Sequence, residues 1–145
     1  YEVKARPDHH EALYPGIEDV ITRLDDDGYL LGVATGKAQG GLRDTLNQHN
    51  LTGRFVTLQT ADINPGKPHP GMIESALRET GAEVENTVMI GDTTFDMEMA
   101  VNAGAVAIGV AWGYHGREEL IEAGARTVVD HGPDLLQQII TLLGD

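Results

Sequence analysis

In the segment Val88-Met89-Ile90-Gly91-Asp92-Thr93-Thr94-Phe95-Asp96 an apolar strand pattern ends in a carboxylate, and a second carboxylate follows four residues later. Asp92 would project from the strand tip and Asp96 from the first turn of the next helix. Magnesium is a hard cation, usually held by one or two carboxylates together with water and phosphate oxygens, so Asp92 and Asp96 are candidate Mg²⁺ ligands. The plainer alternative is that Asp92 or Thr93 caps the helix and Asp96 complements its dipole. The strongly apolar strand before Asp92 favours the metal.

Two further clusters carry groups suited to an anion. Lys67 lies in Gly66-Lys67-Pro68-His69-Pro70, where two prolines stiffen the loop. A rigidly held lysine can neutralise transferring phosphoryl oxygens, although a lone lysine is more commonly a solvated surface group. Thr35-Gly36 follows the apolar run Leu30 to Ala34. A hydroxyl and backbone N–H groups at a strand-to-helix turn suit a phosphate. By itself, Thr before Gly is more often an ordinary turn and cap.

The elements that must position these groups alternate from residue 16 onward. Ile17, Val20, Ile21 and Leu24 recur at helical spacing, and Gly28 stops that helix. The reading continues with a strand over Leu30 to Ala34, a helix over 38–50 and a strand over Phe55 to Leu58. Pro70 opens a helix with Met72, Ile73, Ala76 and Leu77 on its core face, closed by Gly81. Then come a strand over Thr87 to Ile90, a helix carrying Met97, Ala100 and Val101, and a strand over Ala105 to Val110. A helix near 117–123, a strand over Thr127 to Val129 and a last helix from Asp134 complete the pattern. The last helix buries Leu135, Leu136, Ile139, Ile140 and Leu143, a stripe that could also serve an oligomer. Continuous apolar strands between amphipathic helices predict an α/β fold, a Rossmann-like doubly wound parallel sheet covered on both faces. Ligands of such sheets bind beyond the carboxyl ends of the strands, where all three clusters fall.

Composition narrows the function classes. The 145 residues are 41% hydrophobic and 23% charged, ordinary for one globular domain. Without cysteine there is no disulfide framework, thiolate site or cysteine nucleophile. A formal net charge of −13 disfavours a nucleic acid or an anionic membrane as partner. No apolar run approaches the roughly 20 residues of a membrane span. A cytoplasmic location is expected, while an upstream start before Tyr1, with or without an export signal, is left open. The six histidines show no metal-ligand spacing. Trp112, Tyr114 and His115 fall on a loop at the active edge, where they would face the substrate or, more commonly, pack the loop.

Taken in order, Thr35-Gly36, Lys67-Pro68 and Gly91-Asp92 with Asp96 resemble the haloacid dehalogenase superfamily, most closely its phosphoglycolate phosphatase-like members. The resemblance spans roughly residues 14–145, and Tyr14-Pro15-Gly16-Ile17 matches the stretch that re-enters the core after the helical cap. It implies that Thr35 and the Gly36 amide bind the phosphoryl group and that Lys67 neutralises it and the nucleophile. Asp92 would ligate Mg²⁺. Asp96 would complete the acidic site by direct or water-mediated contact, or by orienting Lys67. Two acidic positions fit the phosphatase branch better than the dehalogenase branch, which uses no metal.

The family's first motif, Asp-x-Asp-Gly-Thr after an apolar strand, supplies a nucleophile that forms an aspartyl-phosphate and a general acid/base. Asp25-Asp26-Asp27-Gly28 has a similar outline, but a helix precedes it and the strand follows it. It reads as the polar exit of that helix. The first central strand and the cap are therefore expected upstream of Tyr1, with residues 1–13 a connector from the cap and 14–145 an incomplete catalytic core. The missing strand would lie between the strands ending at Thr35 and Asp92, leaving two inner edges unpaired. The chain alone is expected to be inactive. The expected function of the whole is a Mg²⁺-dependent phosphomonoester hydrolase for a small phosphorylated metabolite such as 2-phosphoglycolate. Its rivals are a phosphosugar mutase of the same superfamily and a non-catalytic phosphate- or partner-binding fragment.

Overall fold

The computed structural model describes residues 17–36, 38–48, 53–111 and 116–143. Helix α1 (Ile17–Asp26) leads into β1 (Gly32–Thr35), α2 (Gln39–Gln48), β2 (Thr57–Thr60) and α3 (Gly71–Thr80). A 3-10 turn over Val84–Asn86 precedes β3 (Val88–Gly91), α4 (Thr94–Ala103) and β4 (Val106–Val110). Then come α5 (Arg117–Glu122), β5 (Thr127–Val129) and α6 (Gly132–Leu143). Residues 1–13, expected as a connector, lie outside the described residues.

Among the described residues all strand pairs are parallel, as continuous apolar strands require when helices cover both faces. Alternate strand residues enter two cores. Val33, Ile90, Ile108 and Val129 pack with α1, α2 and α6. Ala34, Met89, Ala107 and Val128 pack with α3, α4 and α5. The strands thus form one layer between two helical layers.

Among the described residues that layer is split. β1 pairs with β2, and β3, β4 and β5 pair in that order. Parallel crossovers are right-handed almost without exception. The β1-to-β2 crossover runs through α2 on one face, whereas β3-to-β4 and β4-to-β5 run through α4 and α5 on the other. The chain must therefore travel in opposite directions across the layer in its two halves, with β1 and β3 innermost. This is a topological switch point, the place where open α/β sheets bind ligands. A cavity of about 380 Å³ lies there, lined by β1 from Gly32 to Ala34, by β3 from Val88 to Ile90, and by apolar side chains of α1, α3 and α6.

Several element boundaries differ from the sequence reading. Strand β2 runs over Thr57–Thr60 instead of Phe55 to Leu58, because partners inside the protein make its polar end buriable: Gln59 is 1% and Thr60 0% exposed, while Val56 is 55% exposed. Strand β1 likewise starts two residues late, leaving Leu30 exposed and taking Thr35 into the pairing with Thr60. On α4 the buried face is Met97, Met99 and Ala100, and Val101 points outward.

Candidate functional site

The turn after β3 is built by Asp96. Its carboxylate Oδ2 accepts from the Thr93 N–H at 3.3 Å and the Thr93 hydroxyl at 3.0 Å, while the Asp96 N–H donates to Thr93 Oγ1 at 3.2 Å. Thr93 is the N-cap of α4, and the two residues form a reciprocal capping box. Gly91 is required by this arrangement, since a Cβ there would stand 2.3 Å from the Asp96 side chain. Asp92, between them, has an almost fully buried side chain at the carboxyl end of β3. The helix-capping alternative is thus realised by Thr93 and Asp96, and Asp92 takes no part in it.

Asp96 has a second task. Its Oδ1 receives Lys67 Nζ at 2.5 Å, with the Asp96 side chain fully buried and that of Lys67 12% exposed. A carboxylate removed from water needs such a partner. Asp96 thus both caps α4 and contacts Lys67 directly.

Lys67 is presented by the loop 61–70 between β2 and α3, whose Lys67–Pro68 peptide is cis. The loop is tied down at several points. Asn102 of α4 donates to the Pro68 carbonyl at 3.2 Å, and the His69 N–H donates to the Gly66 carbonyl at 3.0 Å. Pro70 is the N-cap of α3 and offers no side-chain acceptor, so His69 Nδ1 accepts from the Gly71 N–H at 3.0 Å. This use of His69 is not visible in composition or spacing.

Across the switch point, Thr35 ends β1 in a buried position. Gly36 beyond it is exposed, and a Cβ there would meet nothing within 4 Å. The first N–H of α2, from Gln39, donates instead to Asp62 Oδ2 at 3.2 Å. Asp62 Oδ1 also accepts from the Thr60 hydroxyl. These two bonds, the Thr60 hydroxyl first, hold the Asp62 carboxyl below the usual carboxylate range. Gln39 Nε2 donates to the Leu58 carbonyl and to Thr60 Oγ1, both at 3.0 Å, locking the start of α2 onto β2. The chain's own carboxylate therefore shares the helix N-terminus that a phosphate was expected to use.

The structure places Lys67, Asp96 and Asp92 together at the end of β3, and Thr35 with Gly36 at the end of β1 across the cavity. Trp112, Tyr114 and His115 lie outside the described residues. Thr93 caps α4, as the helix-capping alternative had it, whereas Asp62 and Gln39 were not singled out from sequence and had no readable signal there. Among the described residues no group of three or more His, Cys, Asp or Glu could hold a metal ion. The donor set is a half-site, a buried Asp92 carboxylate next to an Asp96 already engaged by Lys67. That fits Mg²⁺, which takes one or two carboxylates and completes its shell with water and phosphate. No helix among the described residues is long and apolar enough to cross a membrane.

A family model described as haloacid dehalogenase-like hydrolase matches residues 1–110. The chain is 38% identical to the protein named "Probable phosphatase IndB" of Dickeya dadantii, over 81% of this chain and 52% of that protein. It is 34% identical to the pyrophosphatase PpaX of Anoxybacillus flavithermus, over 88% of this chain and 61% of that one. With the phosphoglycolate phosphatase of Vibrio cholerae it shares 29% identity, over 88% and 57%. The crystal structure of a hydrolase from Pseudomonas syringae superposes with a TM-score of 0.81 at 27% identity, over 90% of this chain and 61% of that one. The chain thus spans a little over half the length of the relatives it matches.

Proposed function

The chain belongs to the haloacid dehalogenase-like hydrolases, and from that premise we propose that it is the larger part of the catalytic core of a Mg²⁺-dependent phosphatase for a small phosphate compound. The observation that carries this reading is the Lys67–Asp96 pair beside Asp92: a cation, a buried carboxylate and a strand end meet at the switch point, in a chain whose relatives are named phosphatases.

In this reading Asp92 holds the metal, and Asp96 orients Lys67 and completes the acidic site. Mg²⁺, when bound, would supply positive charge toward the phosphoryl oxygens. Lys67 Nζ donates to one of those oxygens and neutralises charge that grows as the ester bond breaks. The Thr35 hydroxyl and the Gly36 N–H donate to another and fix the phosphorus in line for attack.

The attacking group is an aspartate on a further strand seated between β1 and β3, outside the described residues. The cavity there is apolar and bounded by both inner strands, as such a strand needs. Its carboxylate oxygen bonds to phosphorus as the ester P–O bond breaks, and an acid protonates the departing alkoxide. Water then releases phosphate from the aspartyl-phosphate. The substrate we place first is a small organic phosphate such as 2-phosphoglycolate. The pyrophosphatase relative makes inorganic pyrophosphate the competing substrate to test.

The test is phosphate release by the full-length protein from 2-phosphoglycolate and from pyrophosphate, with Mg²⁺ and with excess chelator. Release that depends on Mg²⁺ and is lost in Asp92→Asn supports the proposal. Undiminished release by that variant removes Asp92 as a necessary ligand.

A further inference from the structure

A polar relay runs behind the loop that carries Lys67, on the side of β2 facing α3. Arg78 donates to Ser75 Oγ at 2.9 Å, and the Ser75 hydroxyl donates to Asn64 Oδ1 at 2.7 Å. Asn64 Nδ2 donates to Gln59 Oε1 at 2.8 Å, and Gln59 Nε2 donates to Glu79 Oε2 at 2.8 Å. Thr57 joins the far end: its hydroxyl donates to Glu79 Oε1 at 2.7 Å and accepts from Gln59 Nε2 at 2.8 Å.

The two ends of this relay fix its direction. A guanidinium can only donate and a carboxylate can only accept, so every hydroxyl and amide between Arg78 and Glu79 has one orientation that satisfies all of them. Asn64 is fixed a second time, because its Nδ2 also donates to the Thr60 carbonyl at 3.2 Å, which cannot donate in return. The relay leaves the surface at Arg78 and Glu79, passes through the fully buried Gln59, and holds Asn64 three residues before Lys67. The two bonds from Thr57 and Gln59 also hold the Glu79 carboxyl below its ordinary range. A buried amide with its donors and acceptor engaged is costly to reorient, so it makes a stiff anchor.

We propose that Asn64 is a positioning residue for Lys67, oriented by the relay between Arg78 and Glu79, so that the lysine amine is held on Asp96 and aimed at the phosphoryl site. The proposal rests on the reading of Lys67 given above, yet the placement of the amine can be measured apart from activity. Two substitutions break the relay at different points. Asn64→Asp keeps the shape but turns a donor into an acceptor facing Gln59 Oε1 and the Thr60 carbonyl. Ser75→Ala removes the two bonds of the Ser75 hydroxyl, to Arg78 and to Asn64, next to the exposed end of the relay and should leave folding intact.

The experiment follows the side-chain resonances of Lys67 in the full-length protein with labelled lysine, assigned by comparison with Lys67→Arg, together with steady-state kinetics. Both variants should move the Lys67 signals toward those of a solvated lysine, Ser75→Ala less than Asn64→Asp. In Asn64→Asp kcat should fall about tenfold with KM nearly unchanged, the pattern of a contact made only in the transition state. Lys67 resonances that stay in place in Ser75→Ala, or in an Asn64→Asp variant melting as the parent does, would overturn the proposal. Should Lys67→Met retain full phosphate release, the functional reading of Lys67 falls, while the resonances still decide whether Asn64 places the amine.

Discussion

The two turns that face each other across the switch point are built on opposite principles. At the end of β3 the charge of Asp96 is satisfied internally: it caps α4, receives Lys67 and lies over Gly91. At the end of β1 stand the buried Thr35 and the exposed Gly36, and the adjacent helix N-terminus is engaged by Asp62. A carboxylate as buried as that of Asp96 needs such partners, because desolvation makes its charge costly. The β3 turn is therefore tied to stability through Asp96, and the β1 turn is expected to be tied to it less.

Substitutions should separate the two turns. The largest effect on turnover is expected for Asp92→Asn, a loss on the order of 10³-fold in kcat/KM at constant Mg²⁺, read by phosphate release. Lys67→Met should harm both properties: it leaves the Asp96 charge buried without its ion-pair partner, a cost of about 3–5 kcal/mol in urea unfolding, and turnover falls with it. Thr93→Ala removes the α4 cap and should cost about 1–2 kcal/mol. Thr35→Val, at the other turn, should lower kcat by about 10²-fold and lower the melting temperature far less than Lys67→Met. A Thr35→Val variant that melts as low as Lys67→Met would erase the contrast.

The smallest effect concerns acid. Asp62 and Glu79 both have folded-state values depressed by hydrogen bonds. Their stabilisation is complete above the unfolded-state value and is lost as pH falls through the folded one, below about pH 4. Unfolding of the parent and of Glu79→Gln, compared between pH 7 and pH 3, should show a gap that closes toward acid.

The sequence carried the β3 turn plainly, since an apolar strand running into Asp92 is a local pattern. The ion pair between Lys67 and Asp96 spans 29 residues and is fixed by topology, so periodicity could not place it. Composition misled at β2 for the same reason: Gln59 and Thr60 look like strand exit, yet they are buried because Glu79, Asn64, Asp62 and Gln39 complete their hydrogen bonds. Leu30 and Val56, apolar and expected inside, are exposed at the strand starts. The layered α/β architecture was legible because it depends on which faces are apolar. The relay behind Lys67 was not, because it depends on which amides meet.

A crystal structure of the full-length protein with Mg²⁺ and orthovanadate would test the central claim most directly. The account predicts a vanadate at the mouth of the cavity that receives Lys67 Nζ, the Thr35 hydroxyl and the Gly36 N–H together, with the metal on Asp92. An anion bound elsewhere, or one touched from the β3 side while Thr35 and Gly36 face solvent, would contradict it.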